Sequence, residues 1–391
     1  MRPETKNYLN GIRIFEYGQG IATSYCSLTL AKLGAEVIKI THECSKENQY
    51  TTSLSKPLNQ TYNEMTPVDL ALNHSKKRIK VDLNKPDGLN TLRGILKDID
   101  LVITDGSLSK HGISFNELTK PNESIVSINI QPFRCGHAYS QYATSDLSLF
   151  HMSGNAHGIL GPVLDPNTEP PIRAGGNQSE IVSGLTAATA SMIAMYRKLQ
   201  TGYGCHIVVS KFESLVTMAI SGLANQAFGK LPPTRKLSDQ KESSIGGMVS
   251  AIGGVLPCKD GFVAISPRED SQWSRWLELI GNPDWSTEER FTTRTSREQN
   301  IDELWKLLSD WSITKSKFDI ARSGQEVRVP CFPVNTISDL LVDPHLKSRE
   351  FFVPIDHPRA GSLLYPRNPF KINGQSPKFP LHPLQEIEKP Y

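Results

Sequence analysis

No stretch of this sequence approaches the roughly 20 apolar residues that a helix needs to cross a bilayer. Met1 is followed by Arg-Pro-Glu-Thr-Lys, with none of the apolar run that a secretion signal carries. Neither a membrane span nor a leader is expected, and the cytoplasm is the expected compartment. Charge of one sign is also lacking, since 43 Lys and Arg stand against 40 Asp and Glu and leave a net charge of +3. With the basic residues scattered along the chain, binding to nucleic acid or a membrane surface through bulk charge is not expected. Cysteine is sparse: Cys26, Cys44, Cys135, Cys205, Cys258 and Cys331 include no C-x-x-C pair and no histidine partner pattern. A disulfide framework, a zinc site or any other bound metal is not expected. What is present is 391 residues, 38% of them hydrophobic, enough to bury two or three domain cores without cross-links.

The opening segment reads as a βαβ unit: a strand over Ile12 to Tyr17, a Gly18-Gln19-Gly20 turn, a helix over Ile21 to Leu33 and a strand over Val37 to Ile40. Further strands are expected at Arg78 to Asp82, Asp100 to Ile103 and Ile125 to Ile130, with a helix opened by Pro86-Asp-Gly88. Strands alternating with helices imply a parallel sheet covered on both faces. The apolar residues from Ile181 to Leu199 recur at helical spacing, Thr201-Gly-Tyr-Gly204 ends that helix, and a strand over His206 to Ser210 follows. A second helix is expected from Lys211 towards Phe228. The charged, Pro232-Pro233-bearing stretch from Gly229 to Ser244 reads as a linker or exposed loop. A smaller module then begins with a hairpin, Val255 to Pro257 and Phe262 to Ile265 around Lys259-Asp-Gly261, with helices at Trp273 to Ile280 and Ile301 to Trp311. Val329 to Pro333 is extended, and the proline-bearing C-terminal stretch is expected to wrap over other parts of the protein, with periodicity only at Ile337 to Leu341.

Four clusters have residue types that carry chemistry. Gly18-Gln19-Gly20, between strand and helix, suggests phosphate binding at a helix N-terminus, but Thr23 occupies the last glycine position of G-x-G-x-x-G and Glu43 is a poor ribose-binding acid. A tight turn is the better reading there. Asn73-His-Ser-Lys-Lys-Arg78 could hold phosphates as point charges or form a solvated edge. In Arg173-Ala-Gly-Gly-Asn-Gln-Ser-Glu180 two glycines lead into the best helix, so Glu180 either complements the helix dipole or acts as a nucleophile towards an activated acyl group. Ser243 to Gly254 is a glycine-bearing run that reads as an inter-domain linker or as a loop closing on a ligand. No histidine is spaced from a serine or cysteine in a way that supports a hydrolytic triad.

Taken in order, these motifs resemble the class III CoA-transferases, the CaiB/BaiF-type family that includes formyl-CoA transferase and carnitine CoA-transferase. The resemblance runs from Leu9-Asn-Gly-Ile-Arg-Ile-Phe-Glu16 and Leu30-Ala-Lys-Leu-Gly-Ala-Glu-Val-Ile-Lys39 through Leu72 to Leu83 and Thr201 to Ser210. It continues through Leu256 to Ile265, Pro333-Val-Asn335 and Asp343-Pro344 to Phe352. The resemblance implies an α/β fold: a Rossmann-like large domain formed by both chain ends, a smaller α+β domain, and two subunits interlocked as rings. Domain boundaries are expected at 1–228, 229–330 and 331–391.

The same resemblance implies ping-pong transfer of CoA from an acyl-CoA to a small carboxylic acid through an enzyme carboxylate, with CoA as substrate and no tightly bound cofactor. Where the family carries its catalytic aspartate, four residues before the glycine matched by Gly184, this chain has Glu180. Other departures are Thr41-His-Glu-Cys-Ser-Lys46, Asp105 and Cys135-Gly-His-Ala138. The resemblance points to Gln19, Lys39 and Lys76 as CoA contacts and to Gly246, Gly247, Gly253 and Gly254 as the mobile loop. A homodimer is expected, with a heteromer containing an active relative as the alternative. Two further functional readings stand beside transfer: an acyl-CoA-binding partner without activity, and an α-methylacyl-CoA racemase-like isomerase. The second is disfavoured because Ser145 precedes Asp146, where that isomerase has its histidine.

Overall fold

The computed structural model describes residues 7–42, 66–159, 162, 163, 165, 168–230, 236, 237 and 254–388. In chain order its first elements are β1 (Arg13–Tyr17), α1 (Ile21–Ala31), β2 (Glu36–His42), α2 (Pro67–Asn73), β3 (Lys77–Val81), α3 (Pro86–Leu96), β4 (Leu101–Thr104) and α4 (Phe115–Thr119). There follow β5 (Val126–Gln131), α5 (Asp146–Met152), β6 (Pro162–Val163), α6 (Gln178–Thr201), β7 (Cys205–Ser210), α7 (Lys211–Val216), α8 (Ile220–Ala227) and β8 (Lys236–Leu237). Next come β9 (Gly254–Cys258), β10 (Gly261–Ile265), α9 (Asp270–Leu279), α10 (Glu289–Thr292), α11 (Arg294–Gln299), α12 (Ile301–Ser312), α13 (Lys317–Glu326) and β11 (Cys331–Pro333). The chain ends with α14 (Ile337–Val342), α15 (Pro344–Ser348), β12 (Phe352–His357), β13 (Gly361–Pro366) and β14 (Gln385–Glu386).

The described residues fall into two compact units, one within 1–155, 174–219 and 344–391, the other within 156–173 and 220–343. In the first unit seven strands form one parallel sheet in the order β14-β3-β2-β1-β4-β5-β7. Its side chains alternate between two covered faces, which is why these strands read as nearly continuous apolar runs. Ile14, Val37, Ile103 and Ile128 pack on one face with Cys26 and Leu30 of α1 and Ala187 and Ala188 of α6. Phe15, Ile38, Ile79 and Val102 pack on the other with Leu92, Ile95 and Leu96 of α3. The C-terminal strand β14 lies parallel on β3, with Gln385 opposite Lys77. Both chain ends therefore build the sheet, as the resemblance implies.

Sheet order reverses at β1: the next strand in the chain, β2, lies to one side of it, and β4, reached after β3, lies to the other. A crevice at the carboxyl ends of β1 and β4 is the expected ligand position in an open parallel sheet.

In the second unit β9, β10 and β11 form an antiparallel sheet packed with α9, α12 and α13 around Trp276, Leu304, Leu308 and Ile320. Two expectations change. The helix expected from Lys211 to Phe228 is broken, since Thr217–Ala219 is a 3-10 turn between α7 and α8 and Thr217 Oγ1 donates to Ser214 O at 2.7 Å. The C-terminal stretch also holds a hairpin, β12 with β13, in addition to the helix at Ile337–Val342.

Candidate active site

The β1–α1 turn is compact because its glycines leave room for its neighbours. A Cβ on Gly18 would lie 3.0 Å from Thr23 Cγ2 and 3.1 Å from Asp105 Cγ. The Gln19 N–H donates to Asp105 Oδ2 at 2.9 Å, so the turn is tied to the end of β4 across the point where sheet order reverses. Helix α1 then starts after Gly20, which offers no side chain to cap it. The donor that a serine or aspartate would ordinarily satisfy is met from elsewhere in the fold: Ala22 N–H donates to Glu180 Oε2 at 2.9 Å.

Glu180 reaches α1 because the start of α6 is held in place. Gly176 and Asn177 both adopt positive φ, +85° and 51°, conformations suited to glycine and tolerated by asparagine, and they turn the chain into the helix. Gln178 Nε2 donates back to Gly175 O at 2.9 Å and thus holds the approach loop. Asp146 Oδ1, at the start of α5, accepts from Ser179 N–H at 2.9 Å and from Ser179 Oγ at 2.5 Å. One turn further on, a Cβ at Gly184 would come 2.8 Å from Ala22 O, so α6 approaches α1 more closely than any larger residue permits.

The second oxygen of Glu180, Oε1, accepts from the Lys211 ammonium at the start of α7. Lys211 follows directly on β7, and Ser210 caps its helix by accepting from Glu213 N–H at 3.2 Å. The two side chains are 15% and 13% exposed respectively, so the pair is largely but not completely withdrawn from water. A carboxylate with one oxygen on a helix N-terminus and the other on a lysine nitrogen is fixed in direction. That arrangement suits either a structural cap or an oriented nucleophile.

A separate buried cluster lies between β1 and α1. Glu16 is fully buried; its Oε1 accepts from Lys39 Nζ at 2.6 Å and Ser24 Oγ at 2.7 Å, and its Oε2 from Lys76 Nζ at 2.9 Å and Ser27 Oγ at 2.6 Å. Burial by itself drives a carboxyl pKa up, but the two lysines overcome it and hold Glu16 far below its ordinary 4.5. Burial takes the Lys76 pKa down to about 8, with the Lys39 charge adding to the fall and Glu16 and Asp69 opposing it.

The sequence-selected residues thus separate. Gln19 lies in the turn before α1 and Glu180 on the N-terminus of that helix, whereas Lys39 and Lys76 turn their charges onto Glu16 and are sealed from solvent. Gly254 opens β9 in the other unit, where a Cβ would lie 2.6 Å from the Trp305 ring. Gly246, Gly247 and Gly253 lie outside the described residues. Sequence reasoning missed Lys211 and Glu16. The one signal for Glu16 is a carboxylate inside an apolar strand; for Lys211 there is only a lysine directly after a strand end.

Relatives extend over nearly the whole chain. It is 24% identical over 400 residues to the succinate–glutarate CoA-transferase of Agrobacterium fabrum, covering 98% of this chain and 96% of that protein. It is 22% identical to a formyl-CoA:oxalate CoA-transferase of Rhodopseudomonas palustris, covering 93% and 88%. A CaiB/BaiF family protein from Brucella suis shares the fold with a TM-score of 0.81 at 23% identity, covering 97% of this chain and 96% of that one. The model of CoA-transferase family III matches residues 9–383, and the chain belongs to that family.

Proposed function

We infer that the protein moves CoA from an acyl-CoA thioester to a small carboxylic acid, with Glu180 as the carboxylate that carries the covalent intermediates. The observation that carries this reading is the placement of Glu180 at the carboxyl end of the parallel sheet, with Oε2 on the Ala22 N–H at 2.9 Å and its side chain 15% exposed. In the first step a Glu180 oxygen attacks the thioester carbonyl; a C–O bond forms, the C–S bond breaks, and CoA leaves as a thiolate. The thiolate then attacks the glutamyl carbonyl of the resulting anhydride, giving a glutamyl-CoA thioester and releasing the donor acid. The acceptor carboxylate reverses the sequence and departs as the new acyl-CoA, leaving Glu180 free.

Ala22 N–H stays on the glutamyl carbonyl oxygen whenever that carbon is attacked, where a fixed donor stabilises the developing oxyanion. Each exchange conserves the free energy of the thioester, so CoA enters as a substrate and the scheme requires no resident cofactor. Relatives named for succinate with glutarate, and for formyl-CoA with oxalate, support a small dicarboxylic acid as acceptor. Gln19, at the turn that faces the same crevice, is proposed to contact CoA, and the Glu16–Lys39–Lys76 cluster to hold the β1–α1 frame. The cytoplasm is the proposed compartment. A homodimer is proposed, supported by the apolar outer face of α6.

The test is intact-protein mass spectrometry after incubation with a panel of acyl-CoAs, with borohydride reduction and peptide mapping, on wild type and Glu180→Gln. The expected result is an adduct mapping to Glu180 in wild type and a loss of transfer by roughly 10³-fold or more in the variant, which retains an oxygen for Ala22. CoA binding without any adduct, or full transfer by Glu180→Gln, would overturn the assignment.

A further inference from the structure

Lys211 raises a question of charge balance in this site. Its ammonium sits on Glu180 Oε1, while Oε2 is held by the backbone of Ala22. The two oxygens therefore differ. Oε2 has a neutral donor that suits a carbonyl oxygen in every intermediate, whereas Oε1 has a full positive charge that suits an anion only. Acylation of Oε1 removes that anion, and a lysine only 13% exposed would be left facing a neutral ester-like oxygen. In the same step a new anion is created: the sulfur leaves the carbon now bonded to Oε1 and starts about 3 Å from that oxygen.

We propose, on the reading of Glu180 as the nucleophile, that Lys211 is a catalytic residue that passes from the Glu180 carboxylate to the CoA thiolate. The ammonium keeps its proton throughout. When the C–S bond breaks, the electron pair stays on sulfur and Lys211 becomes its counterion; when the thiolate attacks the glutamyl carbonyl and the donor acid departs, the lysine is opposite that leaving carboxylate. On return of Glu180 to its free form the resting ion pair is restored. While both reacting groups are bound the site thus holds one anion beside Lys211, first Glu180, then the thiolate, then the departing donor carboxylate, and after that acid leaves the acceptor carboxylate takes its place, so that the energetic difference among those states is reduced. The same pairing accounts for a lysine directly after β7, where it begins α7 at the site's edge.

The experiment measures single-turnover formation of the Glu180 adduct, trapped by borohydride, in wild type, Lys211→Ala, Lys211→Met and Lys211→Arg, together with the dissociation constant for CoA. Expected is a fall of about 10²-fold in adduct formation for Ala and Met. CoA affinity should change by no more than about threefold, which leaves binding energies nearly intact. Propylammonium added to Lys211→Ala should recover part of the rate, and Lys211→Arg should retain more than Met. Wild-type rates in Lys211→Met, or a loss that neither propylammonium nor arginine relieves, would overturn the role of Lys211 while leaving Glu180 as nucleophile. Absence of any adduct in wild type would overturn both, so the two failures are distinct.

Discussion

At the residue scale the decisive effect is how charge is shared in buried places. Glu16 has two ammonium partners 23 and 60 residues further along the chain, and its Oε1 and Oε2 each accept a lysine and a serine. A buried ion cluster of this kind contributes little by existing, but removing one member strands the others. Glu16→Gln is expected to cost about 3–5 kcal/mol at neutral pH. Because the folded-state pKa of Glu16 lies well below its ordinary 4.5, the unfolded chain takes up its proton first as pH falls. The stability that Glu16 provides is therefore complete above about 4.5 and declines below it. Urea titrations from pH 7 to pH 3 should show the gap between wild type and Glu16→Gln narrowing on the acid side. Parallel curves would show that the carboxylate is not held by the two lysines. The resemblance marks Lys39 and Lys76 as CoA contacts, and only the fold reveals that their charges meet Glu16.

At the element scale α1 and α6 act together. Their close approach depends on Gly184, since a Cβ there would lie 2.8 Å from Ala22 O, a backbone atom that cannot swing aside. Gly184→Ala is expected to push α6 off α1, lower stability by about 1–3 kcal/mol, and lengthen the contact between Glu180 and Ala22 N–H. Activity should therefore fall more than the loss of folded protein explains, which thermal melts combined with adduct formation would check. Full activity with an unchanged melt would show that the helices have room to spare. The strands β1 to β5 and β7 and the helices α1, α3 and α6 are legible because both faces of the sheet are covered and these helices begin or end at glycine or proline, whereas the short helices α2, α4 and α5 carry too few residues for a period to show. The strand β14 was not legible either. Gln385–Glu386 has no pattern of its own and becomes a strand through pairing with β3. Glu180 was legible at a helix start, but Lys211 was not, because the pairing joins the ends of elements that only tertiary structure brings together.

At the scale of the whole molecule α6 is inverted relative to an ordinary surface helix. Apart from Met195, its buried face is made of small residues, among them Ser183, Gly184, Ala187, Ala188, Ser191 and Ala194, and most of the large apolar residues of its C-terminal half point outward. Ile193, Tyr196 and Leu199 are 67%, 65% and 77% exposed, and Leu185 and Met192 extend the same stripe. The apolar spacing that identifies this helix in the sequence is therefore mainly that of its outer face. A continuous apolar face on an otherwise charged surface is rarely left to water and marks an interface. A second copy of the chain is the occupant that the proposed homodimer supplies. Wild type is expected to sediment as a dimer at micromolar concentration, and Ile193→Lys with Tyr196→Glu to sediment as a monomer or lose solubility, with the parallel-sheet core intact by circular dichroism. The two substitutions place opposite charges on the stripe without touching the small buried face that seats Glu180. A monomeric wild type, or a double variant that remains dimeric, would assign this face to something other than self-association.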